Sequence, residues 1–197
     1  VLSVDEMLVR TGEQPEGTGE YFDYGSIFVG LNYSRFLTEN FSIGFNAKYI
    51  NESIWNMSAT GFAIDIGTLY KIPVLNELRI AASVSNFGTK MQLAGRDVTE
   101  IVPAGAGGGN FVNSNLELDE FDLPLLFRFG ISADVIKEGT SRLTAAVDAI
   151  HPNDHTEYIN SGLEYAWNEI IFIRAGYNSL FEEDSEKGLT FGFGLNY

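Results

Sequence analysis

The chain has 197 residues, enough for one sizeable domain, and its 27 acidic against 12 basic side chains give a formal charge of −15. That balance argues against a nucleic-acid partner, because binding phosphates requires basic surface. Cysteine is absent, which rules out a disulfide framework and a thiolate metal site, and no run of about 18 apolar residues could cross a bilayer as a helix.

Aromatic residues make up 13% of the chain, with 21 glycines and 5 prolines, a mix that suits many strands and turns better than a helical bundle. Val1 to Arg10 reads as a strand already under way, with no secretory leader before it, so a longer precursor is expected. Residues 11–23 are an acidic connection, and alternation with a period of two begins in segment 26–37. Phe41, Ile43, Phe45, Ala47 and Tyr49 then oppose Ser42, Gly44, Asn46 and Lys48. Segments 58–71 and 78–88 follow the same rule. After a long irregular stretch, Leu125, Phe127, Phe129, Ile131, Ala133 and Val135 oppose Arg128, Gly130, Ser132 and Asp134. The pattern continues through 142–151, 158–167 and 170–180, and ends with Leu189, Phe191, Phe193, Leu195 and Tyr197. With 1–10 this makes ten strands in succession and no helix between them, an antiparallel up-and-down meander.

Charge tests the face assignment independently. The charged side chains of strands two to ten are Arg35, Lys48, Asp65, Arg79, Arg128, Asp134, Asp148, Glu164 and Arg174, and all but Arg35 fall opposite the apolar face. Such segregation is about a 2% accident if faces were random. The polar face is otherwise Gly, Ser, Ala and Asn. The apolar face carries large residues along its whole length, with Tyr33, Phe41, Tyr70, Tyr165, Trp167 and Tyr197 toward one rim and Tyr49, Phe62 and Tyr177 toward the other. Two aromatic girdles around an aliphatic band are the pattern of a lipid-facing strand set. The expected fold is all-β, an antiparallel transmembrane β-barrel forming a single domain over 1–197, placed in a bacterial outer membrane. Asp65, Arg79, Arg128, Asp134, Asp148, Glu164 and Arg174 are expected to line its lumen as ion pairs that fill space.

The connections alternate in length. Those near 37–41, 71–78, 137–142 and 167–170 are short, and those near 11–23, 51–57, 88–123, 151–157 and 181–188 are mostly longer. Fourteen of the fifteen net negative charges sit in the longer set. Outer-membrane barrels have short periplasmic turns and long extracellular loops, which assigns the acidity to the outer rim and makes 88–123 a long extracellular loop. Loops of that length are usually functional or disordered. The run Gly105 to Gly109 inside it is not followed by Lys-Ser or Lys-Thr, so a hinge is the better reading than a phosphate loop.

Two acidic clusters, Glu117, Asp119, Glu120, Asp122 and Glu182, Glu183, Asp184, Glu186, lack the spacing and turn glycine of an EF-hand loop. They read as a solvated rim that divalent cations would screen diffusely, without a dedicated metal site. All of them but Glu186 are, together with Arg96 and Asp97, the candidate residues for holding a protein partner at that rim. His151 and His155 flank Pro152-Asn153-Asp154, whose turn chemistry is explanation enough. No nucleophile–base pair or carboxylate pair stands out, so neither catalysis nor a cofactor is expected.

Several phrases carry a family resemblance. They are Ser58-Ala59-Thr60-Gly61-Phe62-Ala63-Ile64-Asp65-Ile66-Gly67-Thr68-Leu69-Tyr70; Ser85-Asn86-Phe87-Gly88-Thr89 with Leu93-Ala94-Gly95-Arg96-Asp97; Val147-Asp148-Ala149-Ile150-His151-Pro152-Asn153-Asp154; and Arg174-Ala175-Gly176-Tyr177 running to Ser185-Glu186-Lys187-Gly188-Leu189-Thr190-Phe191-Gly192. Across nearly the whole chain these resemble the PorV/PorQ family of outer-membrane proteins, within the FadL-like barrel group. The resemblance implies a barrel of about fourteen strands with an N-terminal segment in its lumen, of which this chain would supply the C-terminal part. It also implies a role in docking or carrying protein cargo at the cell surface, associated with type IX-like secretion. The alternative within the group is a FadL-like transporter of hydrophobic small molecules. That role would need an apolar interior, for which Phe28, Phe36 and Leu126 are the few inward-facing apolar residues.

Overall fold

The computed structural model describes residues 1–74, 76–104, 111–180 and 188–196. Its strands are β1 (Leu2–Leu8), β2 (Tyr21–Phe36), β3 (Phe41–Ile54), β4 (Met57–Ile72), β5 (Leu78–Gly88), β6 (Ala94–Gly95), β7 (Thr99–Pro103) and β8 (Phe111–Asn115). They continue as β9 (Leu126–Glu138), β10 (Ser141–Pro152), β11 (Tyr158–Trp167), β12 (Ile171–Leu180) and β13 (Leu189–Leu195). A single turn of 3-10 helix, Arg96–Val98, is the one helical element among the described residues.

One sheet of eleven strands runs β1-β2-β3-β4-β5-β9-β10-β11-β12-β13, with β6 off this path against β4, and β7 and β8 form a separate hairpin. Neighbours on the path are consecutive in the chain except where 88–123 is skipped between β5 and β9, the connectivity of a meander. The path ends at β1 and β13, which do not pair with each other among the described residues. All-β class and antiparallel topology thus agree with the alternation in the sequence.

Turn chemistry sets the register. Asn168 and Glu169 both have positive φ, 54° and 53°, and Ile170 N–H donates to the Trp167 carbonyl at 3.0 Å. The connection has three residues, Asn168 to Ile170, and is left-handed at the first two. It puts Trp167 opposite Ile171 and Glu164 opposite Arg174. One register shift falls between Leu143 and Thr144 of β10: Leu143 pairs Ile136, but Thr144 pairs Asp134. The extra residue on β9 flips its alternation, which brings Ile136 onto the apolar face beside Leu143.

Exposure on this sheet is inverted relative to a water-soluble sandwich. On β4, Ala59 and Ala63 are 1% and 2% exposed while Phe62 between them is 63% exposed, and Ile64 and Ile66 follow Phe62. On β9 Gly130 is buried, whereas Phe129 and Ile131 are exposed. Leu189, Phe191, Phe193 and Leu195 stand exposed along β13. Aromatic side chains meet on this face as well: Phe41 and Tyr70 lie edge-on with ring centroids 6.3 Å apart, and Tyr49 and Phe62 lie 5.3 Å apart.

The chain divides into two compact units, one of Val1–Leu31, Ala47–Ala63 and Gly88–Leu123, the other of Asn32–Asn46, Ile64–Phe87 and Pro124–Tyr197. The core of the first is a small apolar cluster of Ala59, Ala63, Met91 and Leu123, with Ile50 and Leu93 packed against it.

Candidate functional site

The small-residue face of the second unit carries its charge in register. Asp134 lies opposite Thr144, Thr144 opposite Glu164, Glu164 opposite Arg174, and Arg174 opposite Gly192, one row across five adjacent strands. Cross-strand partners on one face lie close enough to bond directly, and here they do. Thr144 donates to Asp134 at 2.8 Å and Arg174 Nε to Glu164 at 2.6 Å. From β5, Arg79 grips Asp134 with both terminal nitrogens at 3.1 and 3.2 Å, the fork geometry that suits a carboxylate. Arg142 closes the network, 3.8 Å from Asp134, 3.3 Å from Glu164, and bonded twice to Glu169 at 2.8 and 3.0 Å. Asp134 is 1% exposed, so its charge is tolerated only because these partners surround it.

The network is anchored in turns at its margin. Arg79 also donates to Glu77 at 2.9 Å, and Lys71 stands 3.6 Å from the same carboxylate. The hydrogen bond from Arg79 holds the Glu77 carboxyl below its usual range, and the one from Arg142 does the same for Glu169.

Asp65 sits elsewhere on this face. It accepts from Asn46 Nδ2 at 2.9 Å and from the backbone N–H of Asn86 at 2.8 Å. Asn86 reaches it from a left-handed conformation, φ 62°, and its own amide donates to the Pro124 carbonyl at 2.9 Å. Beside it a cavity of about 610 Å³ has Ser42, Asn46, Asp65, Ser83, Arg128 and Asp148 among its lining residues. Arg128 and Asp148 make no ion pair or side-chain hydrogen bond among the described residues. A second cavity, of about 510 Å³, lies over Ser132, Ala146, Gly162, Gly176 and Thr190, and its charged residues, Glu164 and Arg174, are bonded to each other.

In the first unit the segment after β5 turns onto β4. Thr89 N–H donates to the Phe62 carbonyl at 2.9 Å, β6 pairs with Met57 and Ser58, and Met91 bridges Phe121 by two backbone bonds at 2.9 and 2.8 Å. Met91 and Leu123 are thereby held over Ala59 and Ala63. Gly61 between those alanines is needed for the fit: a Cβ there would lie 2.8 Å from the Met91 Cγ. Asp97 accepts from the backbone and side-chain nitrogens of Asn56 at 3.2 and 3.1 Å, so its carboxylate works as an internal tie.

Of the charges expected to gather on one face, Arg79, Asp134, Glu164 and Arg174 are joined in the network, Asp65 is bonded to amides, and Arg128 and Asp148 share the cavity wall. Arg96, Glu117, Asp119, Glu120 and Asp122 are exposed. Glu182, Glu183 and Asp184 lie outside the described residues. Arg142, Thr144, Glu77 and Glu169 belong to the network but were not evident from sequence, because Arg142 falls at a strand start and the two glutamates in turns. His151 Nδ1 lies 2.9 Å from Glu157, and among the described residues no group of three or more His, Asp or Glu is placed to hold a metal ion.

These features define the class: an antiparallel β-meander with an exposed face of large apolar residues and an opposite face of small residues, ion pairs and cavities. Compared with protein-family models, curated proteins and solved structures, the chain matches none.

Proposed function

We propose that this chain forms the wall of an outer-membrane β-barrel that docks or carries a protein partner at the cell surface, in a secretion-associated role of the type IX kind. The observation that carries the membrane part is the inverted exposure of β4, β9 and β13. Exposed large apolar residues recur on one face of each of these strands, whereas water-soluble monomers rarely expose large apolar patches, and hydrocarbon is the solvent in which such a face costs nothing. In lipid the two open edges must also be paired, since unsatisfied backbone groups are excluded from the bilayer core. Further strands, as in the barrel of about fourteen that the PorV/PorQ resemblance implies, would pair them.

The docking part rests on that resemblance and on the exposed acidic stretch Glu117, Asp119, Glu120 and Asp122, which suits a basic protein surface. Capture from native membranes in mild detergent tests it. Because Met91 and Leu123 pack on β4, deleting 88–123 would disturb the unit, and neutralising those four acids to Gln or Asn is the cleaner change. The expected result is a co-purifying protein lost in the neutralised variant. A chain that is soluble without detergent, or that retains no protein, contradicts the proposal. Transport of hydrophobic molecules is a second reading, for which Phe36 on the wall of the larger cavity speaks. A lipid or fatty acid carried through purification would favour it.

A further inference from the structure

We propose that the cavity at Arg128 binds a small zwitterion, a molecule with a carboxylate and an ammonium group such as a free amino acid. The starting point is a contrast within one face. In the row from Asp134 to Arg174 every charge is bonded to another, whereas Arg128 and Asp148 stand on adjacent strands without partners among the described residues. Arg128 lies opposite Ile150 and Asp148 opposite Gly130, which makes the two diagonal neighbours, about 7–8 Å apart at Cα. A molecule bridging them would complete both.

The groups available select its chemistry. Arg128 offers a planar fork of N–H donors matched to a carboxylate. Asp148 offers only acceptors, and Asn46 Oδ1 on the same wall is a buried acceptor with no donor among the described residues. Acceptors without donors call for N–H groups, and a carboxylate calls for a positive one. Arg35 belongs by alternation to the apolar face, and the charged lining residues on the small-residue face are Asp65, Arg128 and Asp148, so a phosphate or other multiply charged anion would meet two carboxylates there. A dipolar molecule adds no net charge. There is room for it: Ser83 lies opposite Arg128, Ala81 opposite Gly130, and about 610 Å³ falls within the range of small-molecule sites. Gly130 makes room for the Asp148 carboxylate, which a Cβ there would run into.

The test is calorimetric titration of the full chain, in detergent or vesicles as its solubility requires, with glycine, β-alanine and 4-aminobutanoate, and with propanoate and propylamine as single-charge controls. One of the three zwitterions should bind at least about 10-fold more tightly than either control, and Arg128→Gln and Asp148→Asn should each weaken it by at least about 10-fold. Among the described residues neither side chain is bonded to another group, so both variants should melt like the parent. Ser83→Tyr, which fills the cavity and leaves the charges in place, should abolish binding as well. Propanoate binding as tightly as the zwitterions would overturn the proposal in favour of a plain anion site. No binding by any of the five, or binding indifferent to Arg128→Gln, would overturn it outright. None of these outcomes depends on which solvent meets the opposite face.

Discussion

The two units fill their small-residue faces by different means. In the first, Ala59, Gly61 and Ala63 leave a hollow that Met91 and Leu123 occupy, and apolar volume does the filling. In the second, the hollow is occupied by Arg79, Asp134, Arg142, Glu164 and Arg174, and each charge is tolerated through its neighbours. Small side chains on one face of a strand therefore create space without dictating what enters it. The apolar solution fails gradually as volume is lost. The ionic one fails abruptly, since removing one member strands the others away from water.

That difference predicts the largest effect at Asp134. Asp134→Ala leaves Arg79 and Arg142 facing each other without the shared carboxylate and should cost about 3–5 kcal/mol, read from denaturant unfolding of the refolded chain. A cost under about 1 kcal/mol would mean that water, rather than Asp134, balances the arginines. Met91→Ala comes next, at about 2–4 kcal/mol from lost burial and the cavity left behind. It should also make 88–123 an early site of proteolytic cleavage. The two substitutions share no partner, so combined they should add within about 0.5 kcal/mol; strong coupling would contradict their assignment to separate units.

The smallest effect concerns acid. Arg142 holds the Glu169 carboxyl below its ordinary value of 4.5, and Arg79 does so for Glu77. A depressed carboxyl stabilises the fold above its unfolded value and loses that contribution as pH falls through the folded one. The melting temperature of Glu169→Gln should therefore trail the parent at neutral pH and at 4.5, and converge with it only in stronger acid. A gap that closes between pH 7 and 5 would contradict the Arg142 contact. Glu169 is a surface turn residue, so the gap itself should be small.

The strands were legible because their faces differ so much in side-chain size that a period of two is visible residue by residue. Asp65, Arg79, Asp134, Glu164 and Arg174 were legible for the same reason, since alternation alone puts them opposite the large residues. Three things were not. The extra residue on β9 that moves Ile136 across faces is a property of pairing with β10, and Val135-Ile136 reads equally well without it. Arg142 becomes a network member only once Thr144 is paired with both Asp134 and Glu164. Within 88–123 the residues that pack, Met91 and Leu123, are 32 positions apart and follow no period, so the stretch reads as a loop although β6, β7 and β8 lie inside it.

In the proposed barrel the large-residue face meets hydrocarbon. The absence of cysteine allows a clean test: single Cys substitutions at each position from 127 to 135, spin-labelled, in a lipid bilayer. Collisions with oxygen, which concentrates in lipid, and with a water-soluble nickel complex are measured at each site. Oxygen maxima are expected at positions 127, 129, 131, 133 and 135 with nickel minima at the same places, and the reverse or a doubly low value at 128, 130, 132 and 134. Nickel access at 129 and 131 equal to that of an exposed loop would contradict it.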